Sequence, residues 1–248
     1  MAYTVKQTGP VITTAGNAFT LPSASTAGTL LIGFFAARNT TSLAWPAGWT
    51  GLTAAGTGSA DIAYYLNNPG GISSITPTYS SGILDGGLLM EFDAGSATSG
   101  SLLDQTGRNL FPANSSPVSI TTSGNLTDNH ELAVSVANLS NISAYKTTLG
   151  AGTNFTQAAQ AGNGVKQEGH VTFDYRLDTG ASSSGATQTD AVTASVATFG
   201  GGGDAWIITF KLPTVAAGLL PQQERHRVPI TVPPYGRVMR HSPATYGR

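Results

Sequence analysis

Glu91 and Asp93 stand two apart in the run Leu88-Leu89-Met90-Glu91-Phe92-Asp93. On a strand that spacing places both carboxylates on one face, an arrangement open to the paired carboxylates of glycoside hydrolysis. The simpler reading is the polar face of a half-buried strand. A matching stretch later in the chain carries Thr209 and Lys211 instead, so the pair does not recur. His130, His170, His226 and His241 are scattered, without the HxH or HExxH spacing of a metal centre. Gly200 to Gly203 precede Asp204, yet no Lys-Ser/Thr follows as a phosphate loop needs, which leaves a flexible hairpin connection. No GxSxG elbow is present. The segment 178–190, rich in Ser, Thr and Gly, offers carbonyls and carboxylates to calcium, but a long solvated loop is the stronger reading. Cysteine is absent, which removes disulfides, thiolate chemistry and Cys-based zinc sites together. Neither a metal nor a cofactor is expected.

Two further sets of residues suit binding rather than catalysis. Trp45 and Trp49 flank the turn Pro46-Ala47-Gly48 and could stack on sugar rings. Against this, Trp49 matches Phe155 in the later stretch, and aromatics at equivalent repeat positions belong to cores. Six Asn-X-Ser/Thr triplets, at Asn39, Asn114, Asn125, Asn138, Asn141 and Asn154, are what abundant Ser and Thr produce by accident.

The elements that position these residues occur twice. The first set reads TLLIGFFAA, PAGWT, DIAYYL and GGLLMEFDA within residues 29–94; the second reads ELAVSVANL, LGAGTNF, VTFDYRL and DAWIITFKL within residues 131–212. KQTG at 6–9 is matched by DQTG at 104–107. Pairing Gln7 with Gln105 and Phe92 with Phe210 gives offsets of 98 and 118, a drift expected where strands correspond and loops lengthen. The first repeat thus covers about residues 1–98, and the second about 99–213.

Helix formers are scarce while Thr, Val, Ile and aromatics recur in short runs bounded by turns, such as Asn67-Asn68-Pro69-Gly70-Gly71. Strands are expected at 3–6, 11–14, 18–21, 30–36, 50–54, 62–66, 74–79 and 88–92, then 118–122, 132–137, 154–157, 171–177, 191–198 and 206–212. This pattern predicts an all-β protein, a β-sandwich or jelly roll with two internal repeats. One globule with the copies side by side is favoured over two independent sandwiches. Forty per cent apolar residues and a mean hydropathy of zero fit neither a disordered chain nor a membrane protein. No secretory signal is read at the N-terminus.

Composition changes at Pro213. Residues 214–248 carry five Pro, five Arg and one Glu, a charge of +4, against −5 for residues 1–213. The prolines forbid a regular helix and favour extended backbone. Leu219, Leu220, Ile230, Tyr235 and Tyr246, with Arg225, Arg227, Arg237, Arg240 and Arg248, suit a segment that lies along another surface. An acidic protein groove is the expected target in preference to nucleic acid, since few aromatics interleave the arginines.

Ala27-Gly28-Thr29-Leu30-Leu31, Pro46-Ala47-Gly48-Trp49-Thr50 and Ala63-Tyr64-Tyr65-Leu66 appear in that order. The order resembles a β-sandwich module of tailed bacteriophages and prophages, in which a "GDLLL" strand precedes a "P.GWT" turn and a "YYR"-like strand. The resemblance covers about residues 27–94, with a weaker echo to Leu212. It lacks the usual acid before the Leu pair, and the tail has no counterpart. It implies a non-enzymatic structural component of a virion, on the head as decoration or spike or attached to the tail or fibre, made in the host cytoplasm. No catalytic residues carry over. Expected partners are other virion subunits and further copies of the chain, without a membrane. The competing class is a carbohydrate-binding module reading host glycans through Trp45 or Trp49.

Overall fold

The computed structural model describes residues 2–38, 42–52, 60–80, 82–95, 102–111, 117–139, 149–162, 169–194 and 203–212. The chain separates into a unit Met1–Val215 and a unit Ala216–Arg248, and the expected anchoring residues of the tail, 219–248, lie outside the described residues.

The described part is all-β. Its first half contains β1 (Thr4–Thr8), β2 (Phe19–Thr20), β3 (Leu30–Arg38), β4 (Leu43–Ala44), β5 (Thr50–Gly51), β6 (Ala60–Tyr65), β7 (Ser74–Ile75), β8 (Thr78–Tyr79) and β9 (Ile83–Asp93). The second contains β10 (Leu103–Phe111), β11 (Val118–Thr121), β12 (Leu132–Leu139), β13 (Leu149–Gly150), β14 (Thr156–Ala161), β15 (His170–Arg176), β16 (Thr189–Ala194) and β17 (Gly203–Phe210). Each half builds a five-stranded antiparallel sheet of one order, β1-β9-β3-β6-β5 and β10-β17-β12-β15-β14. Each also builds a smaller layer: the ribbons β2-β7 and β4-β8 in the first, the sheet β11-β16-β13 in the second. Leu30 pairs with Phe92 in the first half as Leu132 pairs with Phe210 in the second.

The five-stranded sheets face one another across a single core drawn from both halves. Leu30, Ile32, Phe34 and Ala36 of β3 point into it, as do Leu132, Val134 and Val136 of β12. Phe34 meets Phe173 at 5.4 Å between ring centres, and Tyr64 meets Phe210 at 5.5 Å. β17 lies against β6 and β15 against β9, so each half offers equivalent strands to the other. The alternate residues of β3 (Leu31, Phe35, Ala37) turn to the outer ribbons, and Ala133, Ala137 and Leu139 of β12 turn to the outer sheet. Both strands are therefore covered on both faces, which is why they read as unbroken apolar runs. Each large side chain so buried contributes roughly 1.5–3 kcal/mol.

Gly9 and Gly107 occupy matching positions where the edge strand leans onto the outer layer. A Cβ at Gly9 would lie 1.9 Å from the Thr20 carbonyl oxygen, and one at Gly107 would lie 2.0 Å from that of Thr121. Only glycine fits such approaches.

Several expected elements differ. β10 is not among the expected strands, because LDQTGRNLF mixes charge and apolar residues without alternation. Residues 11–14 form no strand beyond an isolated bridge from Ile12 to Gly87. The expected strand 74–79 is two, β7 and β8, interrupted at Thr76 and Pro77, since proline cannot donate to a ladder. Strand β5 ends at Gly51, and residues 53–54 and 195–198 of two expected strands lie outside the described residues.

Candidate functional site at the seam of the two halves

Along the seam a pocket of about 370 Å³ opens between the end of β3, the start of β9 and the end of β14. Val11, Arg38, Ile83 and Asp85 line it from the first half, Gln160 and Gly169 from the second. Arg38 Nε donates to Asp85 Oδ1 at 2.7 Å, and the Asp85 side chain is 1% exposed. Asn138 Nδ2 donates to Asp85 Oδ2 at 3.2 Å from β12. A Cβ at Gly169 would lie 2.1 Å from the Asp85 carboxyl, so the backbone there closes directly onto it. Burial pushes the Asp85 carboxyl above its usual range, and the Arg38 charge and the Asn138 amide oppose that shift. Asp85 sits at a bulge between Ala36 and Ala37 of the β3 register, which turns it inward. Gln160 Oε1 accepts the Leu149 N–H at 3.0 Å. The Asp85 carboxylate thus ties the halves together through Asn138, while the Gln160 amide oxygen braces β14 against β13 within the second half.

Glu91 is fully buried. It accepts from the Gln7 amide, from the Thr26 N–H at 2.8 Å and from the Thr29 hydroxyl at 2.7 Å. Asp93 instead lies at the surface beside Lys6, 3.7 Å away. The shared face that the spacing predicts therefore holds one interior acid and one exposed ion pair.

Trp45 donates its indole N–H to Asp61 at 2.7 Å and stacks on Trp49, with ring centres 6.0 Å apart. Its edges meet Phe19 and Phe35, and Trp49 meets Tyr65 edge-on at 5.9 Å. Trp49 and Phe155 occupy one position: each N–H closes a turn, to Pro46 and Gly152, and each precedes a threonine paired with a tyrosine, Thr50 with Tyr64 and Thr156 with Tyr175. Gly48 and Asn154, with φ of 89° and 70°, supply the left-handed residue of that turn.

His130 Nδ1 lies 3.0 Å from Asp178, whose Oδ1 also accepts the Gly180 N–H, and Arg176 braces the same loop through the Asp178 and Thr179 carbonyls. His170 is buried near the seam, and His226 and His241 fall outside the described residues. No group of three His, Cys, Asp or Glu suited to a metal occurs among the described residues. Of the hairpin glycines, Gly203 opens β17 and 200–202 lie outside the description. Asn138, one of the glycosylation triplets, is buried in β12.

Sequence reasoning missed the acids paired across layers. Asp174 and Asp190 are both fully buried. Ser135 donates to Asp190 at 2.5 Å, Gly152 N–H donates to it at 2.8 Å, and Thr172 donates to Asp174 at 2.7 Å. Burial and then the Asp190 charge push Asp174 upward. Two interior carboxyls this close retain a proton between them. An aspartate inside an apolar run, as in ILDGGLLM around Asp85, was the available signal.

No family model, curated protein or solved structure matches the chain.

Proposed function

We propose that this chain is a non-enzymatic structural subunit of a tailed-phage particle. In this reading the duplicated sandwich of residues 1–213 faces outward, and residues 214–248 anchor it to neighbouring subunits. The observation that carries the reading is that every motif block of the phage-module resemblance is a packing element. Leu30 and Leu31 fill opposite cores, Trp49 closes a turn, and Tyr64 packs across the seam. Glu91, Asp85, Asp174 and Asp190 likewise serve the interior. Residues 214–248, basic and proline-rich with spaced Leu, Ile and Tyr, have the composition of an arm that pairs with acidic grooves and fills apolar niches.

The test is deletion of residues 214–248. The shortened protein is expected to keep its β-rich circular dichroism and cooperative melting but to fail to enter particles. Normal incorporation of the shortened protein contradicts the anchoring role.

A further inference from the structure

Where β17 ends, Lys211 returns to the start of β10. Its N–H donates to the Leu102 carbonyl at 2.6 Å, and the Lys211 carbonyl accepts the Tyr3 hydroxyl at 2.7 Å, so the backbone is held from two sides. Lys211 Nζ lies 3.2 Å from Asp104 Oδ1, with the Lys211 side chain 34% and the Asp104 side chain 3% exposed. Thr127 donates its N–H to Asp104 Oδ2 at 2.8 Å and its hydroxyl to Oδ1 at 2.6 Å. Glu131, fully buried at the head of β12, completes the cluster. Its Oε1 accepts the Asp128 N–H at 3.1 Å, while its Oε2 is buried with no donor in hydrogen-bond geometry. The Asp104 carboxyl and the Thr209 hydroxyl are its polar neighbours. An interior carboxyl oxygen without a donor, beside a second carboxyl, marks an acid that keeps its proton. Burial, with Asp104 adding to it, pushes Glu131 up to about 7. For Asp104 the effect of burial is outweighed by hydrogen bonds from Thr127, Glu131 and Lys211, which hold it below its usual range.

We propose that Lys211 and Asp104 join in an intramolecular amide bond, with Glu131 as the acid that transfers the proton. Within the ion pair the ammonium passes a proton to the carboxylate, leaving a neutral amine and a carboxylic acid. Nζ attacks Cγ and forms the C–N bond. Glu131 protonates the departing oxygen, the C–O bond breaks, and Glu131 recovers a proton from the nitrogen. The products are one amide and one water, and Glu131 ends as it began. The reaction draws on positioning and on Thr127, whose two donors stabilise charge developing on the carboxyl oxygens.

The first half contains a built-in comparison. Lys6 and Asp93 occupy the positions of Asp104 and Lys211 with the charges exchanged, 3.7 Å apart, with side chains 36% and 38% exposed. Thr29 stands there in place of Glu131. That pair has an exposed carboxylate, and the interior acid of its half, Glu91, is taken up by the donors of Gln7, Thr26 and Thr29, so it stays an ion pair. The bond in the second half would tie the first strand of that half to its last, just ahead of residues 213–248. Load arriving from the C-terminal side would then fall on a covalent bond before the strand hydrogen bonds. This inference does not rest on the virion reading.

The test compares intact masses of the full-length protein and K211R, prepared identically at neutral pH, followed by tryptic mapping. Wild type is expected to be lighter than its sequence by one water, to resist trypsin after Lys211, and to yield a branched peptide joining β10 to β17. K211R keeps the charge and is expected to show its full sequence mass, and E131Q, checked for folding by circular dichroism, is expected to lose most of the cross-link. Wild type at full mass with ready cleavage after Lys211, or a branched peptide joining Lys6 to Asp93 instead, would overturn the proposal. Complete cross-linking in folded E131Q would remove Glu131 from it.

Discussion

Thr29 donates its hydroxyl to the buried carboxylate of Glu91 at 2.7 Å, and the second half holds the same two positions in reverse. Glu131 stands where Thr29 stands, and Thr209, its neighbour, stands where Glu91 stands. The interior site is one carboxyl against one hydroxyl in both halves, and the strand that bears the acid has changed.

Glu91→Ala should therefore destabilise the protein by roughly 3 kcal/mol, because the Gln7 amide, the Thr26 N–H and the Thr29 hydroxyl lose a common acceptor. The exchange Thr29→Glu with Glu91→Thr should recover part of that loss. Urea denaturation of the three proteins checks this, and a double variant less stable than Glu91→Ala would contradict the equivalence of the halves.

Gly9→Ala and Gly107→Ala should each cost at least about 2 kcal/mol, since the added methyl meets a backbone carbonyl that cannot move without shifting a strand. Both melting temperatures should fall by similar amounts. A neutral effect at either position would mean that the edge strand does not approach the outer layer as described.

Arg38→Ala should cost about 3–5 kcal/mol by leaving the buried Asp85 carboxylate without its cation. Arg38→Ala with Asp85→Asn should recover much of this. Thermal melts of the single and double variants measure the coupling.

The interior acids set a pH dependence. Asp174 and Asp190 are raised by burial and, for Asp174, by its neighbour, while Glu131 is raised to about 7. Such groups bind more protons folded than unfolded, so their contribution is complete below the ordinary carboxylate range and is lost as pH rises through the folded values. Asp104 and Asp178 are held low and act in the opposite sense, losing stability as pH falls below that range. Stability should peak near about pH 4 to 5 and decline toward about pH 8. Asp174→Asn should flatten the upper decline, as melting temperatures across that range would show.

The central strands were legible because β3 and β12 are covered on both faces and so carry unbroken apolar runs. β10 was not, since its residues divide between the core, the outer layer and the Arg108–Asp204 ion pair at 2.9 Å, which erases any alternation. Its one signal was DQTG matching KQTG. The Trp49–Phe155 match was readable from the repeat. By contrast, the partners of Trp45, Asp85 and Asp174 depend on register across layers, which spacing along the chain does not encode.

A particle subunit must travel with the particle. Quantitative mass spectrometry of purified phage particles, from the host whose genome encodes it, tests this most directly. The chain is expected in intact particles at a fixed ratio to the major shell protein. A ratio near one places it on the shell lattice, and a few copies place it at the tail or fibre. Its absence from purified particles would contradict the account.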